Sequence, residues 1–390
     1  MEQLLDIRHQ EQVDGEVQPT IAFEIEHEDI LNILSICEKI VPKVATIPIL
    51  KNIKFNLDGD TLFITAVDTE QSLLQMVKIH NMGEQKGSFL FPAKEGIELV
   101  KRLPNGKLTF VKENWTLFVN YGRRGKATLT ILSAEEYPTL PQPVVDEFIQ
   151  VPTDVLKKGA LGKEMALIDE ATPALTGICI SNFDGMLGFV ATDRHRVYKY
   201  VSNVEVTEEQ IQTSLISARS FKQIVDSFKC ERVDICLTEH YLVIRESSTI
   251  YFGRLMDANF PLDALESIMS NAEKGTLITF SRHELEDSLN RALSLDAKNN
   301  RISLEIEEAT GSLVLHSQSE TSEVSEYFED AIIDGECPIM KFNGKYLKEA
   351  SKMGDKNINR VLLRVRSSGS PGFLSFEADP SVTIVINPVR

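Results

Sequence analysis

The densest group of chemistry-bearing side chains is the stretch 191–200, ATDRHRVYKY, which sets Asp193, His195 and Arg196 almost side by side. A carboxylate, an imidazole and a guanidinium at that spacing could move a proton or hold an anion. No nucleophile accompanies them: no Ser or Cys stands in an elbow context and no second His is near. The other histidines, His9, His27, His80, His240, His283 and His316, are dispersed, which gives a metal cluster little support. H-E-x-x-H, G-x-x-x-x-G-K-[ST] and G-x-G-x-x-G are all missing. GRRGK at 122–126 is Gly-rich and basic, but it lies between strand-like runs and reads as a hairpin turn. An acidic hydrolase using Asp193, His195 and Arg196 is one reading; an ordinary tight turn at a strand end is the plainer one. No catalytic residue, metal or cofactor is expected.

The elements that must position these residues recur along the chain. A short strand, a polar turn and a helix appear three times, as FEIEHEDILNIL, FIQVPTDVLKKGAL and LITFSRHELEDSLNRAL. Asp29, Asp154 and Glu284 open the helices, where a negative charge suits the positive end of the helix dipole. A second strand–helix pattern follows half a repeat later, as SFLFPAKEGIELVKRL, TSLISARSFKQIVDSF and PIMKFNGKYLKEASKM, with Ala93, Ala218 and Gly344 in register. Alternating stretches between these markers, such as KLTFVKENWTLFVNY and VDICLTEHYLVIRES, read as antiparallel hairpins. A period of about 125 residues is a domain rather than a solenoid unit. The expectation is an α+β chain of three similar domains, each with two helices on antiparallel sheets, linked near PTLPQPVVDE and SIMSNAEKG.

Bulk composition narrows the class. The 390 residues exceed one ordinary core, and 42% hydrophobic content is that of a globular protein. No apolar run approaches a membrane span, and the first 20 residues lack the pattern of a secretory signal, so a cytoplasmic protein is expected. Five scattered cysteines suggest small core residues rather than disulfides or a zinc site.

The net charge of −17 argues against a nucleic-acid partner until it is partitioned. The six expected helical segments with flanks (27–43, 92–107, 153–168, 217–232, 281–301 and 344–360) hold 22 Lys and Arg against 15 Asp and Glu. The helices are therefore basic and the strands and loops acidic. Phe221, Ile224, Val225 and Phe228 form one apolar stripe, with Arg219, Lys222 and Lys229 opposite. Lys345, Lys348 and Lys352 oppose Leu347 and Ala350, and Lys94 and Lys101 oppose Ile97 and Val100. A solvated Lys-decorated surface would give the same pattern on any single helix. Repeated around the chain, it suits a concave basic surface that binds phosphates without reading bases.

T-D-x-H-R followed by an apolar residue resembles the second-domain signature of the bacterial DNA polymerase III β subunit family. TIPILKNIKF (46–55), GRRGKATLTILSAEEYPTLP (122–141), ALTGICIS (174–181), NFPLDAL (259–265), NRALSLDAKNNRISLEI (290–306) and the terminal INPVR resemble further family segments in order. The resemblance covers about residues 21–390. It implies a DNA-clamp fold with domains at 21–143, 144–270 and 271–390 behind an extension of residues 1–20. It also implies a non-catalytic processivity factor: a head-to-tail homodimeric ring around duplex DNA, opened by a clamp loader and tethering polymerases through short peptides. A divergent paralogue with the same ring and other partners is the alternative.

Residue by residue, the resemblance places a peptide pocket at Leu175, Thr192, His195, Arg196, Val197, Pro261, Val385, Ile386, Pro388, Val389 and Arg390, with Leu265 a further member. It turns Lys43, Lys94, Lys101, Arg219, Lys222, Lys229, Lys345, Lys348 and Lys352 toward DNA. It puts Ala127, Leu129, Ser294 and Leu295 at the dimer contact. Departures from the family are Arg194 at the pocket rim in place of a small residue, Asn387 before the terminal Pro, and Val44 where an Arg is common. Gln3-Leu4-Leu5-Asp6-Ile7 loosely resembles the Q-L-x-L-F peptide that clamps bind; a disordered leader is the simpler account.

Overall fold

The computed structural model describes residues 21–82, 86–143, 147–169, 171–295, 300–307, 309–336 and 338–389. The Gln3–Ile7 peptide and Arg390 lie outside the described residues. The chain forms two compact units, one of residues up to Asp68 together with Ser72–Leu140, the other of Thr69–Gln71 and Pro141–Arg390. The class is α+β, with short helices packed on antiparallel sheets.

In the first unit, strands 80–81, Ile21–Glu26, Lys107–Glu113, Thr116–Tyr121 and Gly125–Thr130 form one sheet in that order. Strands Gln71–Lys78, Thr61–Val67, Asn52–Asp58 and Gly87–Pro92 form a second run. Helices α1 (His27–Ile40) and α2 (Ala93–Val100) pack on each other and on strands of both. The period-2 alternation of strands such as Asn52–Asp58 puts Ile53, Phe55 and Leu57 inside, and Phe55 stacks on Phe91 at 4.9 Å.

In the second unit, helices α3 (Thr153–Gly159) and α4 (Ala218–Val225) pack on each other, and α6 (Arg282–Ala292) packs on α7 (Gly344–Ser351). A nine-stranded sheet runs through both halves of this unit. Strand Arg196–Glu205 pairs with strand Asp379–Ile386 in register Arg196↔Ile386 to Tyr200↔Val382, so residues far apart in sequence share one continuous ladder.

The markers found in the sequence open helices: Ala93, Ala218 and Gly344 are the first residues of α2, α4 and α7, and Asp29, Asp154 and Glu284 lie in the first turns of α1, α3 and α6. Ser217, Ser281 and Asn343 cap α4, α6 and α7 by accepting backbone N–H groups. The helices are shorter than the segments expected, because Lys101–Gly106, Asp226–Glu231 and Lys352–Asn359 are turns. The link expected near SIMSNAEKG begins within a helix and continues as turn and loop from Ser270 to Gly275. Leu262–Met269 is a helix, α5, opened by Pro261 and ended before Ser270. Its Leu265 supplies the apolar contact that makes ordering it worthwhile. Cys37 and Cys179 are fully buried, and burial pushes both thiols up to about 12, as inert core residues require.

Candidate peptide-binding site and nucleic-acid interface

The 191–200 motif is a tight corner between strand Met186–Thr192 and strand Arg196–Glu205. Its geometry uses the polar side chains up. The Thr192 hydroxyl donates to the Arg196 carbonyl at 2.6 Å and accepts the Arg194 N–H at 3.2 Å. The Asp193 carboxylate accepts the N–H groups of His195 and Arg196 at 2.9 and 2.8 Å, and the Arg196 guanidinium at 3.0 and 2.8 Å. Arg196 also pairs with Glu349 of α7 and lies over the Tyr346 ring, 4.3 Å from its centroid. The His195 ring stacks on the same Tyr346. With both carboxylate oxygens committed, Asp193 is a structural cap with no lone pair free for acid–base chemistry. Among the described residues no cluster of His, Cys, Asp and Glu could hold a metal ion.

The apolar candidates converge beside this corner. Val197, Val385 and Leu265 lie in one buried cluster with Phe373 and Cys179, edged by Phe260, Leu262 and Met269. Ile386 is fully buried in the strand pair with Arg196, and Leu175 is buried in the 3-10 turn Pro173–Leu175. These side chains are buried, whereas Arg194, His195 and Pro261 are exposed and Pro388 and Val389 half-buried. The C-terminal segment is tied in place: the Asn387 N–H donates to the His195 carbonyl at 2.9 Å and the Val389 N–H to the Lys341 carbonyl at 2.8 Å. A separate cavity of about 790 Å³ is lined by Phe183, Lys199, Glu208, Glu209 and Glu266 among others, and holds none of the predicted pocket residues. The residues missed from sequence are Tyr346 and Glu349. They lie some 150 positions from Arg196, and no local spacing signals the contact.

The basic candidates lie on the outer faces of the helices. Lys94 of α2, Arg219 of α4, Lys229 beyond it, Lys345 of α7 and Lys352 after it are exposed, and Lys348 is half-buried. None of these six has an acidic partner within ion-pair distance among the described residues. Lys43 is exposed beside Val44, which is 91% exposed. Two candidates are partly neutralised: Lys101 pairs with Glu38 and Glu98, and Lys222 with Asp226. The apolar stripe of α4 is buried as its spacing requires. Ala127 and Leu129 are half-buried on Gly125–Thr130, the edge strand of its sheet, while Ser294 and Leu295 follow α6.

No helix among the described residues is long and apolar enough to cross a membrane. Residues 21–141 match the family model of the DNA polymerase III beta subunit N-terminal domain, and 150–262 match its central domain. The beta sliding clamp of Bacillus subtilis strain 168 is 27% identical over 382 residues, spanning 94% of this chain and 99% of that protein. The beta sliding clamp of Staphylococcus aureus strain N315 is 24% identical over 383 residues, with the same coverage. The crystal structure of the Bacillus subtilis DNA polymerase sliding clamp superposes with a TM-score of 0.86 at 26% identity, over 95% of this chain and all of that one. A Pseudomonas aeruginosa sliding clamp bound to griselimycin shares the fold, with a TM-score of 0.86 at 21% identity over the same shares. A tight corner that spends its carboxylate on structure, unpaired cations on helix faces and likeness along nearly the whole length agree: the chain belongs to the DNA polymerase III beta subunit family, the DNA sliding clamps, which are non-catalytic.

Proposed function

We propose that this chain acts as three clamp domains, 21–143, 144–270 and 271–390, that close with a second copy head to tail into a ring around duplex DNA. The function is that of a sliding clamp; the assembly and the residue roles are the inference. The observation that carries it is the set of cations on and just after α2, α4 and α7 that have no acidic partner among the described residues, in a chain of net charge −17. Cations on helix faces hold phosphates weakly and without sequence preference, while an acidic remainder repels DNA from other surfaces. Lys43, Lys94, Lys101, Arg219, Lys222, Lys229, Lys345, Lys348 and Lys352 form this lining. The edge strand bearing Ala127 and Leu129 offers unpaired backbone groups for the partner copy, which would bring Ser294 and Leu295 against it.

The groove rimmed by His195, Pro261, Pro388 and Val389, and floored by Leu175, Val197, Leu265, Val385 and Ile386, takes the apolar anchors of polymerase peptides. Thr192 and Arg196 shape it from behind. A clamp loader opens the ring, and the work is cytoplasmic. The test is topological. Protein loaded on nicked circular DNA is expected to stay bound through gel filtration and to dissociate once the circle is linearised. Equal retention on linear and circular DNA overturns the ring.

A further inference from the structure

Arg194 holds an unusual place in this groove. Its φ is +78°, in the left-handed region that strains a residue with a Cβ. Glycine would adopt it without strain, yet the position carries a long cationic side chain. The strain is held in place from three sides. The Thr192 hydroxyl accepts the Arg194 N–H, the Asn387 side-chain amide donates to the Arg194 carbonyl at 2.9 Å, and the Asn387 N–H holds the next carbonyl.

The guanidinium itself is exposed. One of its N–H groups donates to the Thr172 hydroxyl at 2.6 Å, which fixes its direction beside Leu175. A guanidinium has five N–H donors, so donors remain. Asp193, next to it in sequence, is paired with Arg196, and Asp169, three residues before Thr172, accepts the Ala171 N–H at 2.9 Å. No acidic residue among those described pairs with Arg194. Among the described residues, Arg194 is therefore a pre-aimed, unpaired, exposed cation at the rim of the proposed groove, held at a cost in backbone strain.

We infer that Arg194 is a specificity-determining residue that selects partner peptides carrying a carboxylate beside their apolar anchors. The inference rests on the peptide-groove reading above. A carboxylate in a bound peptide would accept from the free edge of the guanidinium as a charge-assisted pair, a geometry Lys would match poorly. Asn387 is the positioning residue for this contact, because it grips the Arg194 carbonyl from the C-terminal segment.

Fluorescence anisotropy with two synthetic peptides tests this. Both carry Leu and Phe anchors; one has Asp and the other Asn at the position between them. The full-length wild type is expected to bind the Asp peptide about three- to tenfold more tightly, the range for a rim ion pair with one rigid partner. Raising salt should shrink the ratio. In Arg194→Ala the ratio should fall to about one, and in Arg194→Glu it should invert. Arg194→Gly, which removes the strain as well as the charge, should raise the melting temperature while abolishing the preference. Equal binding of the two peptides to wild type, or an unchanged ratio in Arg194→Ala, overturns the inference and leaves the groove standing. If neither peptide binds wild type, the groove reading fails and this inference with it.

Discussion

At the residue scale, the corner at 192–196 shows how a motif that resembles chemistry can be spent on architecture. Arg196 is buried, and its guanidinium donates to Asp193, Glu349 and the Glu164 carbonyl. Removing it leaves Asp193 buried without its counter-charge. Arg196→Ala should cost about 3–5 kcal/mol in a urea titration, because an orphaned buried charge is far worse than a missing pair. Glu349→Gln should cost less than about 1 kcal/mol, since Glu349 is half-exposed and water can replace it. Similar costs for the two variants would show that the Asp193 pairing is not what matters. The run Thr-Asp-x-His-Arg was legible from sequence; the aromatic shelf of Tyr346 beneath it was not, because it comes from a helix in the next repeat.

At the element scale, the helices were legible because two signals coincided. Apolar residues at helical spacing marked a buried stripe, and Ser217, Ser281 and Asn343 offered cap oxygens at the right place. Their ends were less legible, since polar turns such as Lys352–Asn359 keep a composition a helix would tolerate. Helix α5 was hidden by its Pro261 and its short apolar run, which resemble a linker until Leu265 finds the cluster around Val197 and Val385. The exposed faces make a prediction. Arg219→Glu with Lys345→Glu should weaken binding to random-sequence duplex DNA uniformly. It should also lower the slope of log affinity against log salt by about one for each phosphate no longer neutralised. A slope equal to that of wild type would place these faces away from DNA.

At the scale of the whole molecule, the second unit is joined across its halves by the Arg196–Tyr200 ladder with Val382–Ile386 and by ion pairs such as Lys158–Asp379. Burial by itself would raise the Asp379 carboxyl, but hydrogen bonds from Lys158 and Ser381 outweigh it and hold the group below its ordinary value. Arg291 lowers Glu326 in the same way. A carboxyl lowered in the folded state contributes stability above its ordinary value and loses it as pH falls through the lowered one. Melting temperature should therefore drop as pH falls below about 4. Asp379→Asn should be less stable than wild type at neutral pH, by about 1 kcal/mol, and should show a shallower decline in acid. Parallel acid curves for the two proteins would exclude this pair as a source.

The sequence by itself determined the repeated strand–helix pattern, the α+β class, the apolar faces and the net positive charge of the helical segments. Each depends on residues within a few positions of one another, where periodicity and capping act directly. The tertiary structure alone decided which side chains meet. It buried Arg196 against Glu349, stacked His195 on Tyr346, joined Leu265 to Val197 and Val385, and pinned Arg194 in a strained, exposed pose through Asn387. Those contacts join segments far apart in the chain, and their energy comes from desolvation and pairing geometry that no local spacing encodes. The charges of the corner thus join segments far apart in the chain, and Arg194, the residue that breaks the pattern, faces outward with His195.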